Sequence, residues 1–434
     1  MKNLICLTLV SMAFSSAIFA KKIEEQVYIQ DLNLLKYIKT QPALTVDHIS
    51  EEGFELYGPT GMKQWLVDVG ADFIESSDFC LETKNFDLGY PSFEEIEIKL
   101  KQLVAKYPKL AKLISIGKSV EGRDLWVVKI SDNVEKDETE PEFKYISSMH
   151  GNEITGRELT QFLIEDLLQN YGSNPLITDL INNTEIFIMP SMNPDGSKKR
   201  RRSNANRVDL NRDFPDWSRG DGNSFENREP ETIALMKFQA KHNFSLSANF
   251  HGGAVVVNYP WDNTHERHPL DSLAQQISLD YADLNPEMRN STRFTGGITN
   301  GADWYVLKGG MQDWSYYFYN DLQVTIELSN TKWPSYSDIP KFYQNNRDAM
   351  IGLVKSIHQG NGFTFKDRSL IGKVTIYSLD TNRKIGTFAF TKGEFYKVLE
   401  VGKYRWDIQT EAGANRTLDI EVNDSINTQS FEFL

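Results

Sequence analysis

Hydrophobic and polar positions along this chain change their period twice, and each change marks a different kind of structure. After Tyr90 the spacing is helical: Ile96, Leu100, Leu103 and Val104 fall on one face of a helix. Ser92 stands just ahead as a candidate N-cap, and Glu95, three residues later, completes a capping box. The apolar runs 125–130, 143–148 and 186–189 read as strands, with a helix over 159–168 between the last two. Such alternation of strand and helix argues for an α/β fold. A last long helix is expected over 339–357, ended by Gly360-Asn361-Gly362. From about Phe363 the period drops to two. The segments 374–377, 385–390, 396–399, 404–408 and 418–422 alternate apolar with polar, and turn residues separate them. Several short strands at that spacing suggest a small β-sandwich.

Ahead of Tyr90, short strands are expected at 27–29, 44–46 and 54–57, and short helices at 32–38 and 62–69. They read as a small α/β module. Whether it serves as an inhibitory pro-segment, a folding aid or a permanent domain is open at this level. Residues 1–20 have the layout of a secretory signal: Lys2, an apolar stretch from Leu4 to Val10, and the small-residue exit Ser15-Ser16-Ala17-Ile18-Phe19-Ala20. The expected division is therefore a signal at 1–20, the small module at 21–88, an α/β domain at 89–362 and the β module at 363–434. At 434 residues the chain is long enough for more than one domain.

Charge and cysteine usage narrow the setting. A net charge of -13 argues against binding bare nucleic acid or an anionic membrane. No later stretch approaches the ~20 apolar residues of a membrane span, so no stable membrane insertion is expected. Removal of the signal takes Cys6 and leaves Cys80 alone, which rules out a disulfide within the mature chain. A short leader without disulfides points to an exported bacterial protein, periplasmic or secreted, and a monomer is expected.

The candidate chemistry sits at His150, Glu153, His251 and Glu327. A catalytic zinc takes three protein ligands and keeps one position open. A local pair plus one distant residue is the usual layout, and His150, Glu153 and His251 have it. Spacing alone is weak evidence, because His48 and Glu51 repeat it. Those two have no strand ending at them and read as a solvated loop. His150 instead follows the strand run ending in Ser147-Ser148, and His251 follows Ser245-Leu246-Ser247-Ala248-Asn249-Phe250. Ligands in open α/β sheets bind outside the carboxyl ends of strands. Glu327, in the apolar run Val324-Thr325-Ile326-Glu327-Leu328, is placed as the base beside the metal, the alternative being a structural ion pair.

The downstream words carry a resemblance. They are Pro190-Ser191-Met192-Asn193-Pro194-Asp195-Gly196, Arg202-Ser203-Asn204-Ala205, Asp209-Leu210-Asn211-Arg212-Asp213-Phe214-Pro215-Asp216, Asn258-Tyr259-Pro260-Trp261-Asp262, Trp304-Tyr305, Gly309-Gly310-Met311-Gln312-Asp313 and Thr325-Ile326-Glu327-Leu328-Ser329. In order and spacing the chain, from about residue 90 to 434, resembles the zinc metallocarboxypeptidases. The nearest branch is the regulatory one that includes carboxypeptidases D, E, N and M. The resemblance implies a mixed sheet flanked by helices, followed by a transthyretin-like β-sandwich. It implies one Zn2+ per chain on His150, Glu153 and His251, and Glu327 as general base and acid. Arg202 would face the scissile carbonyl, Asn211 and Arg212 would grip the terminal carboxylate, and Tyr305 would close over it. Asp262 and Gln312 match the positions that line the pocket in members preferring C-terminal Lys or Arg.

The chemistry of these residue types agrees. Zinc acidifies water and polarises a carbonyl. A neighbouring carboxylate can take and return a proton. A fixed guanidinium stabilises an oxyanion, and its fork matches a carboxylate. Asp262 also reads as a turn cap before Asn263-Thr264, and Tyr305 as one of many core aromatics. The basic run Lys198-Lys199-Arg200-Arg201-Arg202 is expected to face water except at Arg202. Arg207 stands where the family carries Gly, which puts strain there if the position needs a positive φ. The leading expectation is removal of C-terminal Lys or Arg from peptides or proteins. Two other readings stay open: a peptidase for the diaminopimelate-containing stem peptide of peptidoglycan, and a non-catalytic peptide-binding protein.

Overall fold

A computed structural model describes residues 25–38, 41, 43–50, 53–75, 89–423 and 431–433. The signal segment, Cys6, Glu51 and Cys80 lie outside the described residues. Strands β1 (Glu25–Ile29), β2 (Thr45–Ser50), β3 (Gly53–Gly58) and β4 (Ile74–Glu75) form an antiparallel sheet in the order β2-β3-β1-β4. Helices Leu35–Ile38 and Met62–Asp68 accompany it. Val27, Ile29, Phe54, Leu56, Met62 and Leu66 make a core of its own. The loop expected at His48 is instead backbone of β2. His48 lies in a β-branched stretch that pairs with β3, and that pairing outweighs its polar look.

Eight strands make the central sheet: β5 (Ala111–Lys118), β6 (Asp124–Ile130), β7 (Glu142–Ser147), β8 (Glu185–Met189), β9 (Phe244–His251), β10 (Ala254–Tyr259), β11 (Ile298–Asn300) and β12 (Leu322–Ser329). Their order is β11-β10-β12-β9-β7-β8-β6-β5. The middle pairs β12 with β9, β9 with β7 and β7 with β8 run parallel, whereas β10 with β12, β8 with β6 and β6 with β5 run antiparallel. The sheet is therefore mixed, as expected. Alternation along β8 shows why it is buried on both faces. Ile186 and Ile188 join a core under helices Thr155–Asn170 and Ile339–Ser356, and Phe187 and Met189 join a second core with helix Pro230–Gln239. The helix Phe93–Lys106 starts at the capping box read from the sequence, with Ser92 and Glu95 reciprocally bonded.

The period-two region forms β13 (Gly360–Thr364), β14 (Gly372–Ser378), β15 (Arg383–Phe390), β16 (Glu394–Val398), β17 (Gly402–Thr410), β18 (Asn415–Val422) and β19 (Phe431–Phe433). Two sheets result, in the orders β16-β13-β19 and β15-β14-β17-β18. Gly360-Asn361-Gly362 corrects the sequence reading: these residues open β13 rather than ending a helix. The helix has already stopped at Ser356, and Gly360 lets Lys397 and Tyr396 of β16 approach closer than a Cβ would permit. Phe363, Phe390, Phe395 and Trp406 pack into the same apolar cluster as the helical face of the central sheet, so the β module shares its core. No helix among the described residues is long and apolar enough to cross a membrane.

Candidate active site

Adjacent strand ends bring the four candidate residues together. His150 and Glu153 lie in the turn that follows β7. His251 is the last residue of β9, next to it in the sheet. Glu327 lies on β12, in register with His251 across the parallel pair. The turn after β7 starts at Ser148, whose φ of 50° swings the chain off the strand. Gly151 is required there by crowding, because a Cβ would sit 2.2 Å from the Gly196 carbonyl carbon.

Three donor atoms converge on one point. His150 Nδ1 and Glu153 Oε2 are 3.0 Å apart, His251 Nδ1 and Glu153 Oε2 2.9 Å, and the two Nδ1 atoms 3.0 Å. All three residues are buried, and they form a group able to hold a metal ion. Zinc bonds to such nitrogen and oxygen donors measure about 2.0–2.2 Å, so a triangle of this size fits the ion. Among the described residues, His251 Nε2 has no hydrogen-bond partner, whereas Nδ1 faces Glu153 and His150. Donor set and convergence suit a divalent ion such as zinc.

Asp209 is the site residue that the sequence reading passed over. Its Oδ1 lies 3.0 Å from His150 Nε2, and its Oδ2 accepts from Arg202 Nε at 3.1 Å. Burial alone would push this carboxyl up, but Arg202, His150 and Arg212 outweigh it and hold Asp209 well below the ordinary range. A carboxylate on the far nitrogen of a ligating histidine sets its tautomer and aims the near nitrogen. Asp209 opens the motif Asp209-Leu210-Asn211-Arg212, but nothing in its local sequence assigns it to His150.

Arg202 is 2 % exposed, and its Nη1 lies 3.4 Å from Glu153 Oε1. It lines a cleft together with His150, Glu153, His251, Glu327, Asn211, Asp262 and Tyr305. Lys198, Lys199 and Arg200 of the basic run are exposed. Arg207 has φ of 64° in the left-handed region, so the expected strain is present, yet Arg202 still reaches the site. Arg207→Gly should therefore stabilise the protein by about 1 kcal/mol, read as a higher urea midpoint at unchanged slope. An unchanged or lower midpoint would sink this.

Asn211 Oδ1 accepts from the Met311 backbone N–H at 3.1 Å, and Arg212 Nη1 donates to the Asn211 carbonyl at 2.9 Å. Tyr305 is half-buried and opens on the cleft, unlike the core aromatic Trp314. Asp262 does not cap its turn. Its Oδ1 accepts from Asn258 Nδ2 and Gln312 Nε2, each at 3.0 Å. The turn's own N–H groups at Asp262 and Asn263 are taken by Asp313. Gln312 is held at its other end by Thr325 Oγ1 at 2.8 Å. Gly301 presses on this carboxylate so closely that a Cβ would lie 1.7 Å from Asp262 Oδ1. Burial pushes Asp262 up to about 6, against the opposing pulls of Asn258 and Arg212. Burial and the neighbouring Asp262 likewise raise Asp313 well above its usual range.

Fold and site together define a protein of the metallocarboxypeptidase class. A family model described as zinc carboxypeptidase matches residues 96–349, and the chain belongs to that family. It is 42% identical to human carboxypeptidase D over 347 residues, covering 74% of this chain and 25% of that protein. The chain thus spans about a quarter of the length of that relative. It is 36% identical over 355 residues to carboxypeptidase SOL1 of Arabidopsis thaliana, covering 79% of this chain and 72% of that one. The solved carboxypeptidase A of Helicoverpa armigera shares the fold at a TM-score of 0.60 and 19% identity, over 78% of this chain and 97% of that structure.

Proposed function

We propose that this protein is a zinc-dependent exopeptidase that removes Lys or Arg from the C-terminus of peptides or proteins. One observation carries the reading: two histidines, two carboxylates and an arginine meet at adjacent strand ends, with a further buried carboxylate, Asp262, in the same cleft. The bound metal would supply Lewis acidity, acidifying water and polarising the scissile carbonyl. Asn211 and Arg212 hold the terminal carboxylate, and Tyr305 closes over it. Arg202 donates to the carbonyl oxygen as negative charge develops there. Glu327 takes the proton of the attacking water on its carboxylate and returns it to the leaving nitrogen. Asp262 pairs with the cationic side chain, and Gln312 keeps that carboxylate aimed. Export to the periplasm or the medium belongs to the same proposal and rests on residues 1–20.

Asp262 makes the specificity testable by pH. With its carboxyl raised to about 6, it is neutral at lower pH and loses its pull on a Lys or Arg side chain. Peptides that differ only in a last residue of Arg or Leu are the probe. The ratio of their kcat/KM values should rise with pH through a midpoint near 6, and groups serving both substrates cancel in it. Asp262→Asn should flatten the curve. Metal-dependent release of Leu, Phe or Glu at rates equal to Arg would overturn the pocket assignment while leaving the chemistry intact.

A further inference from the structure

We propose that Tyr57 and Glu55, on strand β3 of the N-terminal module, are positioning residues that hold Arg202 and Lys332 at the edge of the catalytic cleft. The proposal rests on the carboxypeptidase reading above. Arg202 is gripped along its edge by Asp209 at 3.1 Å and Glu153 at 3.4 Å. Its guanidinium carbon also sits 5.1 Å from the centre of the Tyr57 ring. Lys332 Nζ lies 5.5 Å from the centre of that ring and 3.7 Å from Glu153 Oε1.

Two cations beside one carboxylate oxygen repel each other, and the N-terminal module relieves this in two ways. Glu55 Oε2 accepts from Lys332 Nζ at 2.7 Å, and the Tyr57 hydroxyl accepts from it at 3.1 Å. The negative face of the ring attracts both cations. Tyr57 is itself fixed, being 1 % exposed and bonded through its hydroxyl to Gln26 and Glu55.

Two observations support a buttress. Among the described residues, none from 25 to 75 lines the catalytic cleft, whereas Arg202 lines it with Tyr57 seated. Tyr57 therefore touches the cleft through Arg202 without lining it. The module's apolar core is also separate from the two cores of the central sheet. Its contact at Arg202 and Lys332 is thus charge and ring packing rather than an extension of the main core. A guanidinium with its edge and face both held needs little reorganisation when an oxyanion forms beside it. Of the roles left open by the sequence, this one makes residues 25–75 a permanent part of the working enzyme.

The test uses the full-length protein, zinc-loaded, with a peptide ending in Arg. Tyr57→Leu should lower kcat about tenfold, the order of one desolvated cation–π contact. KM should move less than about twofold, because the contact acts on the transition state. Tyr57→Phe, which keeps the ring, should retain most of kcat. In an Arg202→Ala background Tyr57→Leu should cost nothing further, since residues acting through one another are not additive. An active parent whose kcat is unchanged or raised by Tyr57→Leu would overturn the inference, as would full additivity with Arg202→Ala. A parent that releases no terminal residue overturns the carboxypeptidase reading, and this one with it.

Discussion

Glu327→Gln is expected to lower kcat by about 10²–10⁴-fold, the range of one well-placed general acid-base group, while the protein keeps its zinc. Glutamine matches glutamate in shape, and Glu327 is 6 % exposed on the interior strand β12, so the substitution leaves packing intact. The donor atoms that converge for the metal belong to His150, Glu153 and His251, and none of them changes. Only the ability to take a proton and give it back is lost. The measurement pairs kcat on an Arg-terminated peptide with zinc content by elemental analysis. Full activity with zinc present would sink the assignment of the base. Loss of zinc together with activity would move Glu327 from proton transfer to the metal site.

Removal of the metal should abolish turnover outright, and zinc should restore it. The sharper form of this prediction concerns Asp209→Asn. Asp209 holds His150 Nε2 and Arg202 Nε at once, so its charge serves both the metal ligand and the arginine. Asparagine keeps the size and one acceptor oxygen but not the negative charge. Replacing such a partner of a ligating histidine typically weakens metal affinity about 10–100-fold. The zinc concentration that restores half the activity of chelated enzyme should rise by that factor. An unchanged concentration would show that Asp209 serves the fold alone.

These predictions rest on parts of the molecule that differ in how plainly the sequence announces them. The pair His150 and Glu153 is a local feature, three residues apart at the end of an apolar run, and the chain alone announces it. His251 announces itself in the same manner, at the end of β9. Strands β6, β7 and β8 were legible as short apolar runs, and the alternating strands from β14 to β18 were legible because burial on a face imposes a period on neighbouring residues. Strand β5 was not, since it is an edge strand, half-buried along most of its length, and no clear period results. Nor did any local pattern mark β10 as the neighbour of β12, or Gly360 as the start of a strand.

The sequence by itself determined the donor chemistry, the two kinds of periodicity and the presence of Asp262, Asn211, Arg212 and Tyr305 in their motifs. These depend on residue type and on neighbours a few positions away, and the chain carries both directly. The tertiary structure alone decided that Glu327 stands level with His251, that Asp209 orients His150, and that Gln312 spends its amide on Asp262. It also decided that Tyr57, nearly 150 residues before Arg202, lies against its guanidinium. Each of these depends on strand order and register, which set which strand ends become neighbours. A one-residue slip in register would turn a side chain to the opposite face of the sheet. Contacts between distant segments therefore appear only when the sheet is assembled.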